Sequence, residues 1–498
     1  METDEAAATL ARVERGAMQA AAGCGKTRVI STAVARHGRG RDLVLTHTHA
    51  GVDALRRRLA QLGASTKKYE LETIAGWALR LASSFPRTAA LINPTPRTND
   101  DYSAVYRGAQ ILIGLQPIQE ILRASYSGIY VDEYQDCTVE QHDLVVALST
   151  VLPCRIVGDP LQGIFGFRKN RVVDWGQHVA RAFEDIPGPT VDWRWKDSNP
   201  DLGAWLQGVR AKLIAGEGID LSGAPIRWIE ADTDTARRTG QLQACFDAAR
   251  MNGDSVVAIH HWANQCHAVA SKLRGLYTCV EPIDVDDLYQ FAERIGSASG
   301  LARAIAVLDF AGTCMTCIKT ELKTIRNAFA SGRVPSVRKH EAQLDALLKV
   351  SDSDGLRTIP AALDALGNVK GAVVYRRELL HEMQRAVRAC ADGEAPSMSE
   401  AAWIVRSRTR RAGRRLSRCV VGTTLLVKGL EFEHAVVLDA DSYDTKNLYV
   451  ALTRGSKTLT IVSRSSFLQP SRGPGAGSSD SDDANDRTEG NEDGDRND

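Results

Sequence analysis

With 498 residues, 43% of them hydrophobic, the chain is long enough for about three or four domains and apolar enough to give each a core. It holds no run of about 18 apolar residues, and its opening METDEAAATLARVERG lacks the apolar segment of a secretory signal, so neither a membrane span nor a signal is expected. The net charge of +1 hides an asymmetry: beyond Ser471 stand nine acids and three arginines, a net of −6, which leaves +7 for the rest.

The predicted elements alternate from the start. Met18–Ala22 reads as a short strand, Lys26 to about His37 as a helix, Asp42–Thr46 (DLVLT) as a strand and Ala50–Leu62 as a helix with an arginine-rich face. The pattern lapses between about Phe85 and Ser125, where a small insertion is expected, and resumes with strands at Gly128–Asp132 and Arg155–Gly158. A second α/β region opens at Ser255–Ile259. It gives way to helical segments from about Glu281 to Glu400, then returns with strands at Arg418–Thr423, Ala435–Asp439 and Thr458–Ser463. Apolar strands alternating with helices predict parallel sheets covered on both faces. Residues 471–498 have too little apolar surface to offset their ordering entropy and are expected to be disordered.

The strongest chemical signal is AAAGCGKT, residues 20–27. Between a strand and a helix, such a loop turns backbone N–H groups toward phosphates, and the helix terminus adds a favourable dipole. Ala22, Gly23, Cys24 and Gly25 form the wrap, Lys26 reaches the β- and γ-phosphates, and the Thr27 hydroxyl binds Mg²⁺. Asp132 and Glu133 follow a later apolar strand, which places two carboxylates at its carboxyl end beside the loop. Asp132 suits the metal and Glu133 suits activation of water. ATP and Mg²⁺ are the expected cofactors.

Further segments run in order: LTHTHAGVDALRRRL, ETIAGWALRLA, YVDEYQDC, VGDPLQGIFGFR, VDWRW, VKGLEF and NLYVALTRGSKTL. With the loop, this series resembles the UvrD/Rep-like superfamily 1A DNA helicases. The resemblance implies two tandem RecA-like P-loop domains, parallel sheets flanked by helices, each with a mainly helical insertion. The expected division is 1–85 with 126–195 as the ATP-binding domain and 86–125 as its insertion. The second domain would be 196–275 with 403–470, its insertion 276–402, and 471–498 an acidic tail. By the same resemblance Arg28 lies over the adenine, and Trp193 stands where the family usually has a tyrosine stacking on it. Gln162 resembles the glutamine that senses the γ-phosphate, and Arg194 and Arg454 the two arginines that close on it. Gly429 and Glu431 match residues near the γ-phosphate and ribose.

For DNA, Phe165 and Phe167 match an aromatic pair that stacks on bases, and Arg168 follows them. Single-strand binders without sequence preference are built from such platforms and basic grooves. Thr46 and Thr48 are placed to meet backbone phosphates, while His47 stands for the usual phenylalanine and His49 for the usual asparagine. Arg406, Arg408, Arg410, Arg411, Arg414, Arg415 and Arg418 form either a phosphate track or a solvated face. The family's upstream adenine-reading glutamine is not evident, and Leu425 and Leu426 replace polar residues before KGLEF.

Ten cysteines have no framework spacing, which points to a reduced, cytoplasmic setting. Cys314 and Cys317 are expected as buried apolar residues and not as zinc ligands, since no second pair accompanies them. Cys24 lies in the phosphate loop, where oxidation could reach the ATPase. The expected function is a 3′-to-5′ DNA helicase or translocase whose ATPase is stimulated by single-stranded DNA, serving DNA repair or phage defence. An ATP- and DNA-sensing subunit that controls a partner nuclease stays open beside it, as does a P-loop protein acting on RNA or a small substrate. The compactness of the chain is similar to the helicase subunit of the Gabija anti-phage system, which implies a nuclease partner. No membrane partner is expected.

Overall fold

The computed structural model describes residues 1–96, 98–165, 171–251, 253–282, 286–352, 355–412 and 416–471. Phe167 and Arg168, the acidic tail beyond Ser471, and the side chains of Arg410, Arg411, Arg414 and Arg415 lie outside that description.

Two six-stranded sheets, every pairing parallel, organise the chain. The first contains β1 (Arg15–Gln19), β2 (Asp42–Thr46), β3 (Tyr69–Thr73), β4 (Gly128–Val131), β5 (Cys154–Gly158) and β6 (Glu184–Ile186), in the order β3-β2-β4-β5-β1-β6. β7 (Ile219–Asp220) pairs antiparallel with β14 (Phe467–Leu468) as a small ribbon. The second large sheet holds β8 (Arg227–Glu230), β9 (Val256–Ile259), β10 (Thr278–Cys279), β11 (Cys419–Gly422), β12 (Phe432–Val437) and β13 (Gly455–Ser463). Its order is β10-β11-β9-β12-β13-β8. β2, β4, β5, β9 and β11 are buried at every position, as both-face coverage by helices requires.

The helices of the first half are α1 (Thr3–Arg12), α2 (Lys26–Thr32), α3 (His49–Gln61), α4 (Ile74–Ser84), α5 (Asn99–Ile113), α6 (Gln116–Ser125) and α7 (Val139–Ser149). Threonine hydroxyls start four of them: Thr48, Thr73, Thr98 and Thr138 each accept an N–H from the first turn. The predicted strand at Met18–Ala22 is displaced. β1 occupies Arg15–Gln19, and Ala20–Ala22 already belong to the loop, where small side chains let the backbone bend. The helix from Lys26 loosens into a π-turn over Ala33–His37.

The two expected insertions are built differently. α5 and α6 share one core with the first sheet: Tyr106 and Leu112 pack among Ile74, Trp77, Ile129 and Leu144. Gln141 on α7 donates to the Tyr106 hydroxyl at 2.8 Å. The helices between Asp286 and Ala412 instead enclose a core of their own, with Phe310, Leu347, Leu363, Met383 and Val387 fully buried. At the root of that bundle Arg376 grips Glu281 with two 2.7 Å bonds and reaches Asp287 at 2.5 Å. His267 and Cys279 stand beside Glu281, but the guanidinium fork already takes its carboxylate, so the group is an anchor for the bundle.

The arginine run before KGLEF is not a continuous phosphate track in its described part. Arg406 is buried, bonded to Glu382 at 2.6 Å and to the Pro282 carbonyl at 2.7 Å. Arg418 donates to the carbonyls of Ala249, Met251 and Asp254, while Arg408 is exposed near Glu394. Replacing Arg406 by alanine leaves the Glu382 charge buried and uncompensated, with an expected cost of about 3–5 kcal/mol. Arg408→Ala should change stability by less than about 1 kcal/mol. Urea unfolding of the two variants checks the contrast.

Candidate nucleotide site and DNA-facing rim

β1 feeds directly into the phosphate loop, where Gly23 and Gly25 both adopt φ of +81°. This left-handed conformation favours glycine, and at Gly23 a Cβ would also meet the Trp195 ring at 2.5 Å. Lys26 opens α2 but curls back along the loop, its Nζ 3.3 Å from the Ala20 carbonyl. The next residue faces Asp132: Thr27 Oγ1 donates to Asp132 Oδ2 at 2.9 Å.

β4 lies two places from β1 in the sheet and ends in the acidic turn. Glu133 has φ of +54°, an uncommon conformation for a side-chain-bearing residue, and its N–H bonds Asp132 Oδ1 at 2.9 Å. Gln135 donates to Glu133 Oε2 at 2.5 Å and accepts the Asp159 N–H at 2.9 Å, tying this turn to the end of β5. Burial, then the neighbouring Glu133 charge, push the Asp132 carboxyl up. Burial would raise Glu133 too, but Lys26, Lys428, the Gln135 bond and Arg454 outweigh it and hold it below its usual range. Asp136 is pushed up to about 7 by burial, against the pull of Lys428. Within one turn the Glu133 carboxyl is thus held low while burial pushes those of Asp132 and Asp136 up.

The opposite wall comes from the second sheet and from the segment that follows β6. Lys428, just before β12, forms a buried ion pair with Asp136, bonds the Gln162 carbonyl, and lies 4.8 Å over the Phe165 ring. Arg194 donates to the Thr453 carbonyl at 2.6 Å and pairs with Glu431, whose carboxyl it lowers. Arg454 is buried under it, bonded to the Val450 and Leu430 carbonyls and to Thr453 Oγ1. Burial, then repulsion from Arg194, lower its pKa to about 9. The loop itself is braced from this side: the Ala22 N–H donates to the Tyr449 hydroxyl at 3.0 Å, and Trp195 Nε1 donates to the Gly455 carbonyl at 2.8 Å. Gly429, at φ +77°, is exposed between Lys428 and Glu431.

The structure brings Lys26, Thr27, Asp132, Glu133, Arg194, Arg454 and Glu431 to one cleft. Gln162 sits at its edge with its amide turned to Asp159 Oδ2 at 2.8 Å. The residues expected to sandwich adenine are stacked on each other: the Arg28 guanidinium is 3.8 Å from the Trp193 ring centre, and Trp193 Nε1 donates to Thr3 of α1 at 2.7 Å. Sequence reasoning missed Lys428, Gln135, Asp136 and Tyr449, although all four lie inside segments that carried the resemblance.

On the expected DNA rim, Phe165 is 43% exposed and so offers a face. Thr48 caps α3, accepting the Gly51 N–H at 3.0 Å. Thr46 is buried, and its hydroxyl does not reach the surface. His47 turns inward, with Nε2 buried and without a hydrogen-bond partner among the described residues. Of the cysteine pair, Cys314 is buried as expected but Cys317 is exposed, because φ of +64° turns it out after the preceding helix ends.

Residues 97–174, which include the acidic turn and the GDPLQG segment, match the UvrD/REP helicase N-terminal domain. No curated protein matches the chain. The match supports helicase chemistry at this site. No helix of the described residues is long and apolar enough to cross a membrane.

The geometry also bears on Cys24. Its thiol donates to Asp192 at 3.1 Å, and burial followed by the Asp192 charge pushes its pKa up to about 12. Burial and the Asp192 charge thus disfavour the thiolate that reacts with oxidants. With iodoacetamide at pH 8, peptide mapping should show Cys317 modified at least about ten times faster than Cys24.

Proposed function

We propose that the chain is an ATP-driven motor that moves 3′-to-5′ along single-stranded DNA and can separate strands. The observation that carries this reading is the pairing of walls: a phosphate loop and acidic turn from the first sheet face Lys428 and Arg454 beside the second, with Arg194, after β6, bonded to the Thr453 carbonyl between them.

Lys26 and the loop N–H groups hold the β- and γ-phosphates. Thr27 and Asp132 lie side by side and supply the hard oxygen donors that Mg²⁺ takes. When bound, that ion neutralises charge on the phosphates. Glu133, kept ionised, takes a proton from the attacking water. Arg194 and Arg454 stabilise the charge on the transferring phosphoryl group, Arg194 by exchanging Glu431 and a carbonyl for phosphate oxygens. Arg28 and Trp193 part to admit adenine, and Gly429 and Glu431 line the ribose side.

Because these groups come from both sheets, occupancy of the site sets the distance between the sheets, and hydrolysis relaxes it. Phe165, exposed beside Lys428, gives a base-stacking platform that such motion can ratchet. The resemblance to a compact defence helicase extends the proposal to phage defence or repair, in company with a nuclease-bearing partner.

ATP hydrolysis measured with and without single-stranded DNA tests the proposal. Strong stimulation is expected, and Glu133→Gln should lower the stimulated rate by about 10²–10⁴-fold. Hydrolysis that ignores DNA, or that survives the substitution, overturns the motor reading.

A further inference from the structure

Asp192 opens the turn that carries Trp193 and Arg194, its carbonyl accepting the Lys196 N–H at 2.9 Å. The far side of this turn is fastened to the second sheet. Trp195 Nε1 donates to the Gly455 carbonyl at 2.8 Å, Ser198 Oγ to that of Ser456 at 2.9 Å, and Asn199 Nδ2 to that of Lys457 at 2.8 Å. The three acceptors are the first residues of β13, taken in order. Arg194 itself donates to the Thr453 carbonyl at 2.6 Å. Left to these bonds alone, the turn would follow the second sheet wherever it moved.

The near side is held to the phosphate loop. The Arg194 N–H meets the Gly23 carbonyl at 3.4 Å, beyond the usual length of a good hydrogen bond. Asp192 supplies a second hold. Its Oδ1 accepts the Cys24 thiol at 3.1 Å, and its Oδ2 accepts the Gln207 amide from the helix Pro200–Ala215. Gly203, four residues before Gln207 on the same helix face, makes this approach possible: a Cβ there would stand 2.9 Å from that of Trp195 and 3.5 Å from Asp192 Oδ2. One carboxylate thus joins loop, turn and helix.

We infer that Asp192 is a positioning residue for Arg194. It ties the turn of that arginine to the phosphate loop, so the guanidinium is delivered to the γ-phosphate at a distance set by the loop and not by closure of the sheets alone. This rests on the motor reading above and deepens it. Asp192 reaches the loop at Cys24, two residues before Lys26, and acts on the reaction through Arg194. The accuracy it supplies matters because a misplacement of about 1 Å in a group that stabilises a transition state can cost on the order of 10²-fold in rate.

The test uses the full chain and a saturating single-stranded oligonucleotide, with ATP varied. Asp192→Ala should lower the maximal rate about 10-fold and leave the half-saturating ATP concentration within about twofold, the pattern of a group that works only in the transition state. In an Arg194→Ala background the same substitution should cost no further rate, because the residue it positions is gone. Asp192→Asn turns amide hydrogens toward Gln207, and joining it to Gln207→Glu restores the bond with donor and acceptor exchanged. The paired variant should run roughly threefold or more faster than either single one, which also shows that its cleft is folded. A wild-type maximal rate for Asp192→Ala, an equal fall in the Arg194→Ala background, or a paired variant no faster than its parts overturns the inference. If wild type shows no DNA stimulation, or Glu133→Gln stays active, the motor reading itself has failed.

Discussion

Three acids, Asp132, Glu133 and Asp136, crowd one turn at the end of β4, and the lysines that act on them come from both sheets. Like charges at this spacing and burial cannot all ionise without nearby cations. Lys26 is fixed to the same sheet as the acids, but Lys428 is a guest from the second. The acidic turn is therefore electrically incomplete within its own domain. That incompleteness draws the two sheets together, and it also makes their separation sensitive to whatever else brings charge into the cleft.

The bracing of the phosphate loop follows the same logic at the level of hydrogen bonds. Tyr449 takes an N–H from Ala22, and Trp195 lies against Gly23 while donating to Gly455. One backbone N–H of the loop, that of Ala22, is thus employed in holding the opposite wall.

Much of this was legible from the residues alone. β2 coincides with DLVLT, and β4 covers all but the last residue of GIYVD, because strands covered on both faces leave continuous apolar runs. β3 went unread because Glu70 and Glu72 interrupt it. At a sheet edge those acids face out and pair with Arg80. The arginine run suggested a phosphate track, yet Arg406 meets Glu382, a partner on another helix that local spacing does not reveal. Lys428 is the same problem in reverse: a lysine in VKG reads as surface, and only the juxtaposition of two sheets shows that it is buried against Asp136. Charges whose partners are distant in sequence carry no periodic signal, and the site is made largely of them.

The helical bundle between Asp286 and Ala412 has a private core and a charged root, Arg376 clamped between Glu281 and Asp287. Its packing owes little to the sheets, while its root is held firmly at the edge strand β10. Such an appendage behaves as a bracket bolted to an engine block. Its length and outer surface can be rewritten by mutation while the bolt is kept, without disturbing the core of the sheet that carries it.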